Sequence, residues 1–265
     1  MSKSIYLRLA GPLQSWAGST VTGNFVRTER IPTRSGLEGL IAGALGARRG
    51  QWPEWLSTLD FSIRVDADGA LTDDFQTINR RDSEEDFRSR LFIMLGQSAS
   101  KARGNGLVYT PDAQHGTSIT KRTYLADAEF IVRITSEEHG EEIAEALRKP
   151  VFSTYLGRKA FVAEFPFFLG VGPAAVWESL PIVVRADRDE GVVAHSGEER
   201  VARPTADVDR GTIDATAVPR VPLHVVEYSP GLPARHLRQQ FPQVSSREEW
   251  LQYVGETLER SIAVL

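Results

Sequence analysis

The apolar residues near the N-terminus change period between two short segments. Ile5, Leu7 and Leu9 alternate with Tyr6 and Arg8, which predicts a strand ending at Gly11-Pro12. Residues 14–24 are rich in Gly, Ser and Thr and read as a loop that contains Trp16. Leu37, Leu40, Ile41, Ala44 and Leu45 then fall at i, i+3, i+4, i+7 and i+8, one buried face of a helix. Pro32 disfavours helical backbone at Ile31, and Thr33 or Ser35 can cap the start. After a Trp52 to Leu56 turn, Phe61 to Asp66 alternates as a second strand, and Ala128 to Ile134 as a third. Glu141 to Arg148 follows as a second helix, with acids first and bases last as the helix dipole prefers, and Pro150 stops it. A fourth strand is expected within Ala163 to Val171 or within Pro181 to Arg185.

The order β-α-β-β-α-β predicts an α+β fold with a ferredoxin-like, RRM-like sheet, a frame that many RNA binders share. An interval from Thr77 to Lys121 is too long for a simple loop and reads as an insertion. Beyond it, Val201 to Pro233 predicts loops with a strand at Leu223 to Glu227. Ser245-Ser246-Arg247-Glu248-Glu249 is a capping-box start for a final helix with Trp250, Val254, Leu258 and Ile262 on one face.

Charge changes this picture. The net charge of −4 argues against gripping nucleic acid by bulk electrostatics, but residues 1–49 hold seven Lys and Arg against two Glu. Residues 50–76 hold one Arg against six Asp and Glu, a solvated acidic surface that suits protein neighbours. Arg27, Arg30 and Arg34 precede or open the first helix, whose unpaired N–H groups make a place for phosphate. An ordinary core helix is the plainer account, and the pattern alone favours it. Trp16 can equally pack on the core or stack on a base. The segment Gln97 to Gly106, with Lys101 and Arg103, reads on composition as a linker, and Asn79 to Arg90 as a solvated face. Tyr155-Leu156-Gly157-Arg158-Lys159 offers a close-approach glycine, a guanidinium fork, a point charge and a ring, although such a turn is ordinarily just surface.

At 265 residues, 41% hydrophobic and 25% charged, the chain reads as one large or two small soluble domains. It has no cysteine, so disulfides, thiolate catalysis and cysteine zinc sites are excluded. The five histidines have no metal-ligand spacing, and no nucleotide loop or nucleophile elbow occurs, so neither metal nor cofactor is expected. No apolar run is long enough for a membrane span, which makes the cytoplasm the default.

Three ordered stretches resemble one known family. Leu7 to Trp16, followed by Arg27-Thr28, Pro32 to Leu37, Gly39-Leu40 and Ala44 to Gly46, is similar to the start of the Cas-five family of CRISPR-associated proteins, in its type I-E branch; Thr120 to Ala128 and Tyr155 to Lys159 extend the match. The resemblance implies a non-catalytic subunit of the Cascade surveillance complex that holds the 5′ handle of the crRNA in antiviral defence. Its partners would be the crRNA, a CasC-like backbone subunit and a CasA-like large subunit, with target DNA met indirectly through base pairing. It also makes the insertion at 77–121 a β-hairpin or loop thumb that reaches across the RNA beside the next subunit; the strand order above gives a palm from residues 1–76 and 122–230, and the capping-box helix a helical extension at 231–265. Expected RNA contacts are Gln14, Trp16, Arg27, Arg30, Arg34 and Ser35, then Lys101, Arg103, Lys121 and Arg122, then Tyr155, Gly157, Arg158 and Lys159. Relatives of type I-C cut precursor crRNA with a Tyr, Lys and His set, so His115 with Tyr109, Lys121 or Tyr124 defines a metal-independent endoribonuclease as the alternative. A module that only bridges proteins is the third reading.

Overall fold

The computed structural model describes residues 3–22, 25–78, 118–183 and 219–258. Its strands are β1 (Lys3–Ala10), β2 (Leu13–Gln14), β3 (Trp16–Thr22), β4 (Phe25–Glu29), β5 (Asp60–Ala67), β6 (Ala70–Ile78), β7 (Ser118–Ala126), β8 (Glu129–Thr135), β9 (Phe168–Pro173), β10 (Ile182–Val183), β11 (Arg220–Tyr228) and β12 (Arg235–Val244). Its α-helices are α1 (Arg34–Ala44), α2 (Gly140–Arg148), α3 (Val176–Ser179) and α4 (Arg247–Thr257), with a 3-10 turn at Glu54–Thr58. The strands form a seven-stranded sheet, ordered β10-β12-β11-β5-β8-β1-β9, and a five-stranded one in which β7 pairs with β2, β4 and β6. This is a mixed α+β fold. Among the described residues no helix is long and apolar enough to cross a membrane.

Within the large sheet, β5, β8, β1 and β9 are consecutive and antiparallel. Helix α1 connects β1 to β5 through the first face of this sheet, and α2 connects β8 to β9 over the same face. Leu37, Leu40, Ile41, Ile143 and Leu147 join Ile5, Leu7, Leu9, Phe61 and Val132 in one core. Thr33 is the N-cap of α1, its hydroxyl accepting from the Gly36 N–H at 3.3 Å. Of the two segments expected to hold a fourth strand, 163–171 overlaps β9 beside β1, whereas 181–185 supplies β10 at the far edge.

The second face of the sheet is the main departure from the sequence pattern. Alternation in β1 reads as one face in and one face out, yet Tyr6 and Arg8 are buried along with Ile5 and Leu7. The C-terminal residues are responsible. Trp177, Phe241, Trp250, Val254 and Leu258 pack with Tyr6, Ile131 and Val225 into a second core. The predicted final helix therefore docks on the sheet, capped by Ser246, whose hydroxyl accepts from the Glu249 N–H at 3.1 Å. Preceding it, β12 is a strand in a region expected to be helical; Arg235–Val244 pairs with β11 in antiparallel register. Burial pushes the Tyr6 phenol up to about 12, as expected where water is excluded.

The two buried arginines of this second face, Arg64 and Arg8, are each paired with a carboxylate. Arg64 forks onto Asp66 at 2.6 and 2.8 Å, donates to the carbonyls of Leu180 and Pro181, and lies over the Phe241 ring. Arg8 donates to Glu129 at 2.8 Å, and Arg247 from the first turn of α4 reaches the same carboxylate at 2.7 and 2.8 Å. Residues 14–24, expected to be a loop, instead supply β2 and β3 of the smaller sheet, where β2 pairs β7 and β3 pairs β4. The strands β6 and β7 pair from Ala70↔Ala126 to Ile78↔Ser118, so the chain leaves and returns along one ribbon at the expected insertion. Residues 79–117, with most of that insertion, lie outside the described residues.

Burial raises the Glu129 carboxyl, but the Arg8 hydrogen bond and the charges of Arg8 and Arg247 bring it net below the ordinary carboxylate value. A lowered folded pKa means that its contribution is complete above the unfolded value and disappears as pH falls through the folded one. Glu129→Ala, which leaves the buried Arg8 only the more exposed Glu164 carboxylate at 3.3 Å and the Phe165 carbonyl, should lower the unfolding free energy by about 3 kcal/mol at neutral pH, the low end for a broken buried pair. Urea titrations checking this should find the gap from the parent narrowing once the pH falls below the carboxylate range.

Candidate functional site

Three residues after β1 tie the two sheets and α1 together. Gln14 is buried, its amide donating to the carbonyls of Leu9 at 3.3 Å and Ala128 at 2.8 Å. Its side-chain oxygen accepts the Trp16 indole N–H at 2.9 Å, and the Trp16 backbone N–H reaches the Thr28 hydroxyl at 2.7 Å. The indole lies against the first turn of α1, where a Cβ on Gly36 would come within 2.9 Å of the ring. Gln14 and Trp16, expected as RNA contacts, have side chains that serve as internal supports. Both side chains are buried and hydrogen-bonded, which leaves no ring face for a base.

On the other side of this strip lies the Tyr155 to Lys159 turn. The Ser15 N–H donates to the Leu156 carbonyl at 3.0 Å, and Gly157 sits at φ +85° against Ser15, whose carbonyl oxygen would be 1.7 Å from an added Cβ. The glycine serves a backbone-to-backbone approach rather than contact with a ligand. Leu156 N–H to Phe161 carbonyl and Phe161 N–H to Arg158 carbonyl close the turn at 2.7 and 2.9 Å. Phe161 meets the Tyr124 ring edge-on at 4.9 Å, and the Arg158 guanidinium lies 5.2 Å over that ring while its Nε reaches the Ser15 hydroxyl at 3.4 Å. Tyr155 remains exposed.

The arginines upstream of α1 divide into two groups. Arg34 turns inward. It donates to Glu38 at 2.8 Å and to the carbonyls of Ser57 and Leu59 at 2.7 and 2.8 Å, so it anchors the 3-10 turn instead of facing an anion. Arg27 and Arg30 are exposed. The pairing of β3 with β4 (Trp16↔Glu29, Ala17↔Thr28) and of β4 with β7 (Phe25↔Lys121, Val26↔Arg122) brings Arg27 beside the cationic part of β7. There Lys121 bonds Asp73 at 2.8 Å, and Thr123 donates to the same carboxylate at 2.7 Å. The Lys121 and Thr123 hydrogen bonds hold Asp73 below its ordinary value, with the Arg27 charge adding to them. Among the described residues, Arg27, Arg30, Arg122, Arg158 and Lys159 pair with no carboxylate, while Lys121 does.

Ser35 is exposed in the first turn, but Thr33 is the cap. Lys101, Arg103, Tyr109 and His115 lie outside the described residues. Sequence reasoning missed Ser15, Thr28 and the Tyr124–Phe161 pair as the parts that bring the two basic clusters to one strip. Short polar residues in a Gly- and Ser-rich segment give no periodic signal for this. No cluster of three metal-ligating side chains occurs among the described residues.

Comparisons with known proteins agree on one kind of relative. Residues 4–247 match the family profile described as CRISPR-associated protein (Cas_Cas5). The CRISPR system Cascade subunit CasD of Escherichia coli (strain K12) is 35% identical over 181 residues, 66% of this chain and 74% of that protein. A solved chain described as "CRISPR RNA-guided surveillance complex" superposes with a TM-score of 0.65 at 26% identity, over 96% of this chain and all of that one.

Gly157→Ala places a methyl group on the Ser15 carbonyl at a left-handed φ. It should lower the unfolding free energy by about 2–4 kcal/mol, in the range of a strained backbone position with a clash. Urea midpoints would measure the loss, and proteolysis should open the 155–161 turn first.

Proposed function

The chain belongs to the Cas5 family of CRISPR-associated proteins, and we propose that it is the RNA-holding, non-catalytic subunit of a type I-E Cascade surveillance complex that caps the 5′ handle of the crRNA. One juxtaposition supports this most strongly. Two basic groups, Arg27 with Arg30 and Arg158 with Lys159, flank the single strip formed by Gln14 to Trp16. Their guanidinium and ammonium groups position phosphates, which fixes the register of the strand without reading its sequence. Bases are then splayed toward Tyr155, the exposed ring at this edge.

The palm is ferredoxin-like in this reading, and the antiparallel order β5-β8-β1-β9 with α1 and α2 on one face supports it. It differs from an open RRM in one consequential way. RRM sheets stack bases on their exposed face, but here Trp177, Trp250 and Phe241 cover that face, so RNA is held at the sheet's edge. The β6·β7 ribbon carries the thumb, residues 77–121, toward the adjoining backbone subunit, and residues 1–76 with 122–230 form the palm. Within the expected extension, β12 and α4 complete the sheet and close its second face. The large subunit and target DNA are met through the assembled complex.

Two members of the nuclease set are already engaged, which favours holding over cutting. Lys121 is bonded to Asp73, and the buried Tyr124 donates its hydroxyl to Asp74 at 3.3 Å. A phosphorane-stabilising lysine and a general base need to be free to reach the scissile phosphate.

Combined Arg27→Ala and Arg158→Ala should weaken handle RNA binding at least tenfold. It should also flatten the slope of log K against log salt by about 1.4, at about 0.7 for each single-strand phosphate that is no longer neutralised. Arg34→Ala should leave that slope unchanged while lowering the melting temperature. Fluorescence anisotropy across a salt series separates the two, and an unchanged slope in the double variant would exclude these contacts.

A further inference from the structure

Beyond the RNA-holding edge, the C-terminal half of α1 presents an apolar slot with a cationic rim. Trp52, Val151 and Phe152 are 41%, 66% and 48% exposed, unusual for side chains of that size gathered beside one helix. Trp52 lies against Gly39, where an added Cβ would sit 3.2 Å from the ring, and Val151 lies against Gly46, 2.8 Å from such an atom. The Phe152 N–H bonds the Gly43 carbonyl at 3.3 Å and the Val151 N–H that of Ala44 at 2.9 Å, which fixes this segment on the helix end.

Between these walls is Gly43. It lies one turn after Gly39 on α1 and three residues before Gly46, which follows the helix end, yet a Cβ there would meet nothing within 4 Å. Glycine inside a helix is less favourable than alanine, and nothing in the described chain requires it at this position. Gly43 lies seven residues beyond Gly36, about 10 Å along the axis, so the slot is separate from the strip at Trp16. Arg48 and Arg49, exposed and paired with no carboxylate among the described residues, follow two and three residues after Gly46, just past the helix end.

We infer that this slot docks an acidic amphipathic helix of a neighbouring protein subunit, one apolar side chain entering between Trp52 and Val151 while its carboxylates meet Arg48 and Arg49. The inference rests on the reading of this chain as a subunit among protein neighbours. The open position at Gly43 fits the knob of a packed helix, and Arg48 and Arg49, paired with no carboxylate among the described residues, select an acidic partner over a basic one. RNA is the less suitable anion, because the floor is helix backbone whose carbonyl is already bonded and whose neighbouring walls are aliphatic as well as aromatic.

The test places a photo-crosslinking benzoylphenylalanine at position 43 of the full chain, co-expressed with the other Cascade subunits and the crRNA. The expected product is an adduct to an acidic, helix-forming segment of another protein subunit, mapped by mass spectrometry. Adducts only to RNA, only to a second copy of this chain, or none in a complex that native mass spectrometry finds intact would overturn the inference. Gly43→Leu should keep handle RNA affinity within twofold and not lower the melting temperature, yet reduce incorporation into the complex at least tenfold. Arg48→Glu with Arg49→Glu should give the same loss with the helix untouched, which keeps the inference testable if Gly43→Leu does not fold. Normal incorporation of the charge-reversed variant would overturn it. Loss of handle binding by the parent chain would count against the RNA reading instead, and the crosslink would still decide the docking.

Discussion

A hydrogen-bonded pair of buried side chains, Gln14 and Trp16, holds the edge between the two sheets in place. The amide bridges the Leu9 and Ala128 carbonyls to the indole N–H, so every strong polar group of the pair has a partner where water is excluded. A satisfied buried network admits one arrangement and penalises others. That arrangement sets Ser15 between α1 and the Tyr155 to Lys159 turn, with Trp16 against Gly36 on one side and Gly157 against Ser15 on the other. The cationic side chains around the strip owe their positions to it, although the Gln14 and Trp16 side chains are themselves buried.

Closure of the large sheet on both faces is the second constraint. One face is filled from α1 and α2, the other from α3, α4 and β12, and the buried charges between them are paired through Glu129 and Asp66. A sheet so covered has only its rims available for binding. The smaller sheet supplies one such rim, where Arg27 of β4 and Arg122 of β7 come together, and the 155–161 turn supplies the other. The acidic ribbon residues Asp73 and Asp74 restrain Lys121 and Tyr124 close to this edge without neutralising the free arginines.

Local signals were legible in the sequence where one physical rule dominated. The α1 face, a capped start at Thr33 or Ser35, the capping box at 245–249 and the strand periods of β1, β5 and β8 follow from spacing and capping chemistry, and the structure selects Thr33 and Ser246 as the caps. Tertiary contacts were not legible in the same way. Nothing local distinguishes Arg34, which turns to the Ser57 and Leu59 carbonyls, from Arg27, which faces solvent. Tyr6 and Arg8 read as solvent-facing because alternation cannot reveal a second layer supplied by residues more than 160 positions away. Residues 14–24 read as a loop because small polar residues have weak strand propensity, and their pairing with β4 and β7 overrides it.

The central claim is that both basic clusters contact one RNA end, across the strip fixed by Gln14 and Trp16. Crosslinking the assembled protein to crRNA carrying 4-thiouridine at successive handle positions tests this most directly. Adducts should map to residues 27–30 and to 155–159, with neighbouring nucleotides reaching the two segments in turn. Handle adducts confined to one segment, or found only on the covered sheet face, would contradict the account.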